Sequence, residues 1–186
     1  FGTNGFQPVD GECIGTPVVI TSATSTPNQY CQSDGSITVN YSGGTANYTV
    51  SWSGAASGST MPPLNQTGPN TLITGLPNGA YVVTVTDMNG STASTMLSVS
   101  NLPVRNTTIT SYYATIQAAI NAAASGNILD LCAGTYNENV VVDKALTIQG
   151  SNSNRALQIL DGTGIAAGSN GFTINSNITG VTIKNF

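Results

Sequence analysis

Residues 115–126 read TIQAAINAAASG, and residues 127–150 read NILDLCAGTYNENVVVDKALTIQG. The first stretch has a helical period. Ile116, Ala119, Ile120 and Ala123 recur at i, i+3, i+4 and i+7, on one narrow apolar face. Gly126 suits the left-handed position that closes a helix. The spacing predicts a helix over about 115–125. The second stretch changes to a period of two. Leu129 and Leu131 flank Asp130, and Leu146 and Ile148 flank Thr147, so both read as short strands with Asp130 and Thr147 outward. Val181 and Ile183 around Thr182 repeat the pattern. The strand cores Phe172–Ile174 and Val181–Ile183 begin only nine residues apart, with turns of unequal length before them. That spacing fits neighbouring sides of one coil better than two antiparallel partners.

The chain before the helix is patterned differently. Residues 1–16 are Gly-rich and aperiodic, and read as a linker or the end of a preceding domain. From 17 to 100 short strand signals follow one another. Ile37, Val39 and Tyr41 alternate with Ser36, Thr38 and Asn40, and Tyr48, Val50 and Trp52 share a face. Turn residues separate the runs: SDG at 33–35, SGG at 42–44, LPNG at 76–79 and DMNG at 87–90. Asn-Gly between two alternating runs is a strong hairpin signal. Strands at this spacing imply a β-sandwich over 17–100, joined by a linker at 101–112 to whatever the helix opens.

Composition narrows the partners. Hydrophobic residues make up 39% of the 186, enough for a core, whereas charged residues make up only 6%, so hydroxyl and amide groups must keep the surface wet. A net charge of −4 with four scattered cations offers no basic patch for nucleic acid. No apolar run is long enough to span a membrane as a helix. The chain opens without a signal peptide and closes on strand-like VTIKNF, and is expected to be a piece of a longer protein.

Two resemblances fit this division. CQSDGSITVNYSGGTANYTVSWS with LITGLPNGAYVVTVTDMNGSTAS, over about 22–100, resembles the SprB-type repeat of Bacteroidota surface adhesins. That family usually places a second Cys after the NG turn, where this chain has Ser91. YATIQAAINAAASGNILDLCAGTYNENVVVDKALTIQG, over about 111–186, resembles the entry to a pectin-lyase-like right-handed parallel β-helix. The match falls on Ile116, Gln117, Ala119, Ile120, Gly134, Thr135, Tyr136, Glu138, Lys144, Leu146, Thr147, Ile148 and Gly150. Together they imply an all-β chain: an Ig-like β-sandwich followed by the helix-capped start of a right-handed parallel β-helix at 113–186. The helix would be a lid, because the first coil of a solenoid exposes apolar cross-section and unpaired strand edges.

No catalytic residue is read from the sequence. Glycoside hydrolysis needs two carboxylates converging on a cleft. Asp34 and Asp87 sit in turns, Asp130 faces out, Glu138 and Lys144 belong to the entry motif, and Asp161 ends a strand. Asp87 with Asn89 is a weak calcium candidate, set against a plain hairpin role, and no other cofactor is expected. With no His and unsuitable Cys spacing, a zinc site is not expected. Cys13 and Cys31 are the expected disulfide, closing a loop of about 18 residues, with two free thiols as the alternative; the Ser91 departure favours the pairing. Cys132 reads as a buried free thiol. Trp52, Tyr48 and Tyr81 suit a sandwich core or sugar stacking, and Tyr112 and Tyr113 a domain junction. The expected role is a non-catalytic structural or adhesive segment of a large secreted or cell-surface bacterial protein, its partners glycans or surfaces, and its export through type IX machinery by the adhesin resemblance. The alternatives are the N-terminal part of a carbohydrate-active enzyme with its site on later coils, and a self-assembling extracellular filament subunit.

Overall fold

The computed structural model of the chain describes residues 16–60, 70–151, 158–161 and 171–185. The protein is all-β apart from one short helix. Among the described residues no helix is long and apolar enough to cross a membrane. The linker expected at 1–16 lies, but for Thr16, outside the described residues.

Eight strands precede residue 100: β1 (Val19–Thr26), β2 (Asn28–Gln29), β3 (Gly35–Ser42), β4 (Thr49–Gly54), β5 (Gly58–Ser59), β6 (Asn70–Leu76), β7 (Gly79–Thr86) and β8 (Thr92–Val99). All but β2 form one sheet in the order β1-β3-β6 and another in the order β5-β4-β7-β8. The alternation of β3 is realised: Ile37, Val39 and Tyr41 are buried while Ser36, Thr38 and Asn40 are half-exposed. The turns divide into two kinds. DMNG joins β7 to β8, neighbours in one sheet, whereas LPNG carries the chain from β6 in one sheet to β7 in the other. An Asn-Gly pair fixes a local reversal; which strand lies alongside is decided by which faces must be buried.

Ten more strands and the helix follow: β9 (Asn101–Leu102), β10 (Val104–Asn106), β11 (Ser111–Tyr113), α1 (Ile116–Ala122), β12 (Ile128–Leu131), β13 (Gly134–Tyr136), β14 (Val140–Val142), β15 (Thr147–Gly150), β16 (Gln158–Leu160), β17 (Phe172–Ile174) and β18 (Thr182–Lys184). Residues 101–112, read above as a linker, are therefore largely strand. β9 pairs with β2, and β10 lies between β11 and β12, antiparallel to both. Val104 and Asn106 are fully buried, which a free linker could not achieve.

From β12 onward every described pairing is parallel and joins a strand to the third one after it. β12 pairs with β15, β13 with β16, β14 with β17 and β15 with β18. The registers stack like on like, Leu129 on Ile148 on Ile183 and Val140 on Phe172. One core gathers their inward residues: Leu129, Leu131, Val140, Val142, Leu146 and Ile148, closed by Ile116, Ala119 and Ile120 of α1.

The chain divides into two compact units. One comprises the chain through Thr24, Thr38–Leu72 and Tyr81–Leu97; the other comprises Ser25–Ile37, Ile73–Ala80 and Ser98–Phe186. The line falls within strands rather than at 101–112. In the first unit β4 and β7 pair antiparallel from Thr49↔Thr86 to Gly54↔Tyr81 around buried Val50, Val83 and Val85. In the second, Gly35 allows the chain to pass hard against Val99, Asn28 and the Leu76 carbonyl, where a Cβ has no room.

Candidate functional site

The second unit holds the residues that the entry motif singles out, and they converge on the helix. Thr115, in extended conformation, caps α1 by accepting from the Ala118 N–H at 3.1 Å. Glu138 accepts the Ile116 and Gln117 N–H groups at 2.8 and 3.0 Å, one on each carboxylate oxygen. Three N–H groups that the first turn leaves without helical partners are thereby satisfied, with a negative charge at the positive end of the helix. The helix is shorter than expected. It ends at Ala122, Ala123 is extended, and Gly126 sits in the turn beyond rather than in the closing position. Lys144 supplies the closure instead: its Nζ donates to the Ile120 and Ala123 carbonyls at 3.1 and 3.2 Å. A cation that reaches back from 21 residues away removes the need for a left-handed glycine there.

Gln117 does something further. Its Nε2 donates to the Val141 carbonyl at 3.2 Å, and its Oε1 accepts the Val141 N–H at 2.7 Å. β14 pairs on its other side with β17 through the flanking Val140 N–H and Val142 carbonyl. The amide of Gln117 thus replaces one peptide of a missing strand and closes that edge at Val141. Together these contacts hold α1 over the first turn of strands.

Beside the helix the outer face of the five-stranded sheet β11-β10-β12-β15-β18 presents a row in register: Tyr112, Arg105, Asp130, Gln149 and Lys184. Asp130 points out, as alternation predicts, yet it is only 7% exposed. Arg105 pairs with it at 3.0 Å and Gln149 Nε2 donates to its other oxygen at 2.5 Å. Tyr30 lies on the Arg105 guanidinium, 4.3 Å from ring centre to Cζ. Burial raises the Tyr30 pKa, partly offset by its hydrogen bond to Ser151. Strand alternation cannot reveal that an outward carboxylate will be covered by a residue 25 positions away.

Cys31, adjacent to Tyr30, is bonded to Cys132, with Cα atoms 5.4 Å apart and a sequence separation of 101. This corrects both cysteine expectations. Cys31 is not available to Cys13, which lies outside the described residues, and Cys132 is buried but is not a free thiol. The Ser91 departure favours the Cys13 pairing; β2 pairing with β9, and the Tyr30–Arg105 stack, instead bring Cys31 to the end of β12.

The other candidates have structural occupations. The Asp87 carboxylate accepts N–H groups of Thr45 at 2.8 Å, Ser91 at 2.7 Å and Asn89 at 3.0 Å, and the Asn89 amide donates to Thr45 Oγ1 at 2.7 Å. Those bonds, that from Thr45 foremost, hold the Asp87 pKa below the ordinary carboxylate value. The calcium candidates are thus engaged in the β7–β8 turn, and among the described residues no group of three acids, cysteines or histidines is gathered. Tyr81 is 1% exposed and cannot stack on a sugar. Tyr48 rests against Tyr41, centroids 4.9 Å apart, and Trp52 is half-buried on Gly58 of the neighbouring strand, where a Cβ would strike the indole. Tyr113 packs on the core of the second unit.

A cleft of about 250 Å³ opens between Asn101, Pro103, Thr115, Thr135, Asn137 and Glu138. Its carboxylate is Glu138, already accepting two backbone N–H groups, and the neighbouring Tyr136 hydroxyl donates to the Cys132 carbonyl at 2.9 Å. Burial raises the Tyr136 pKa far above its ordinary value, so its proton stays in place. The arrangement can position and hold; it offers no paired acid and base. Neither a protein-family model nor a curated protein sequence matches the chain.

Proposed function

We propose that this chain is a non-catalytic structural and adhesive segment of a secreted or cell-surface bacterial protein, built as an Ig-like β-sandwich leading into the helix-capped start of a right-handed parallel β-helix. The observation that carries the reading is the use made of the ionisable groups around the parallel ladders. Glu138 and Lys144 hold the two ends of α1, and Asp130 is bonded to Arg105 and Gln149. Each is spent on construction, so an enzymatic reading has no free pair of carboxylates to start from there. The strand-to-third-strand parallel pairing supports the solenoid part of the proposal. The Cys31–Cys132 bond supports export, since such bridges persist in oxidising compartments. The resemblance to surface adhesins adds the type IX route and the glycan or surface partner.

The test uses the purified chain and the full-length protein on immobilised and soluble polysaccharides. Retention without release of shortened or unsaturated sugars is the expected result. Depolymerisation by the full-length protein, with no glycan retained by the chain, would sink the adhesive reading and favour an enzyme.

A further inference from the structure

We propose that the Cys31–Cys132 bond is a mechanical bypass, which carries tension along the chain past most of the fold. The argument is topological. The two sulfurs join positions 101 residues apart. Everything from β3 through β12, the helix included, lies between them in sequence. When the ends of the chain are drawn apart, force enters through β1 and β2, reaches Cys31, crosses the sulfur–sulfur bond to Cys132, and leaves through β13 to β18. The enclosed residues form a covalent loop in parallel with that bond. Hydrogen-bonded ladders separate long before a covalent bond does, so the loop cannot be extended while the bridge stands.

The elements outside the loop include edge strands. β1 is an edge strand, one neighbour short, with six of its eight residues exposed. Among the described residues β16, β17 and β18 each have one neighbour in their sheets, and β13, β14 and the doubly paired β15 also lie outside the loop. Inside the loop lie the fully buried residues Ile37, Val39, Tyr41, Val50, Tyr81, Val83 and Val85 and the helix, whose partners Glu138 and Lys144 follow Cys132 and lie outside it. The bridge therefore leaves β1, β2 and the strands after Cys132 to bear the load and spares the strands from β3 through β12. Cys31 is exposed, so a reductant can reach the bond. The use of such a bypass in an anchored adhesive protein rests on the function proposed above; the force path itself does not.

The experiment is to pull the full chain between N- and C-terminal handles and record its fully extended length, before and after adding a phosphine reductant. The reduced chain is expected to extend farther by on the order of 350 Å, at roughly 3.5 Å for each of the 101 released residues. The Cys31→Ser chain should show the long extension without reductant. Equal lengths before and after reduction would overturn the proposal. So would a gain of roughly 60 Å, which is what about 18 residues between Cys13 and Cys31 would release. Mass mapping of the unreduced chain identifies the bonded pair independently, should the variant fail to fold. Loss of glycan binding alone would sink the adhesive reading and leave the extension result standing.

Discussion

Gln117 lies more than 20 residues before Glu138 and Lys144, and the three do one job between them. Each supplies to α1 or to β14 a bond that a longer helix or another strand would otherwise make. Replacing Glu138 with Ala leaves two N–H groups at a helix start without their acceptor, and should cost about 1–2 kcal/mol. Gln117→Leu strips the Val141 peptide of both its bonds and should cost a similar amount, about 1–2 kcal/mol. Asp143→Ala is the control. Its 3.6 Å pairing with Lys144 is half in solvent and should be worth less than about 0.5 kcal/mol. Urea unfolding of the three variants checks the order. None of these roles was legible in the residues alone: the entry-motif resemblance marks Gln117, Glu138 and Lys144, but a motif does not say which backbone group each side chain will meet.

At the scale of the element, the lid depends on one small apolar face. Ile116, Ala119 and Ile120 are fully buried against the strand core, and this face was readable from its spacing. Ile120→Ala should destabilise the second unit by about 2–4 kcal/mol, since it both removes buried methylenes and leaves a cavity. Loosened packing also frees the edge of β14 that Gln117 covers, so the variant is expected to scatter light on warming at concentrations where the parent chain stays clear. An unchanged denaturant midpoint would show that α1 is not packed as a lid. The ends of the helix were less legible than its face. Gly126 signals a stop, but the stop comes at Ala122, because Lys144 and not a glycine satisfies the last carbonyls.

For the whole molecule, the covalent bridge and the titrating groups set stability. Closing a loop of 101 residues is worth about 4–5 kcal/mol in the chain-entropy model, so reduction or Cys132→Ser should lower the denaturant midpoint far more than any capping variant. The chain has no His, which removes the usual titration near neutrality. Asp87 has a lowered pKa in the folded state, so its stabilisation is present above the ordinary carboxylate value and is lost as pH falls through the folded one. Tyr30, Tyr81 and Tyr136 have raised values, so their contribution is intact below about pH 10 and is lost as pH rises beyond that. Melting temperature against pH should therefore be flat from about pH 5 to 9 and fall on both sides. In Asp87→Asn the acid limb should be shallower, and a midpoint that moved steadily between pH 6 and 8 would contradict this account.

Sequence by itself determined what lies within a few residues: the helix face at Ile116–Ala123, the alternation of β3 and β12, the turn at Asp87–Gly90 and the all-β class. These follow from local period and backbone preference, which any window of the chain contains. Tertiary structure decided the rest. It paired Cys31 with Cys132 rather than Cys13, covered the outward Asp130 with Arg105 and Gln149, made strands of residues 101–112, and set Lys144 where Gly126 was expected to close the helix. Apart from the short β10–β11 hairpin, each of those outcomes requires two segments to meet that are 19 or more residues apart. Such meetings are chosen by the burial of whole faces and the satisfaction of backbone groups, and no local pattern records them.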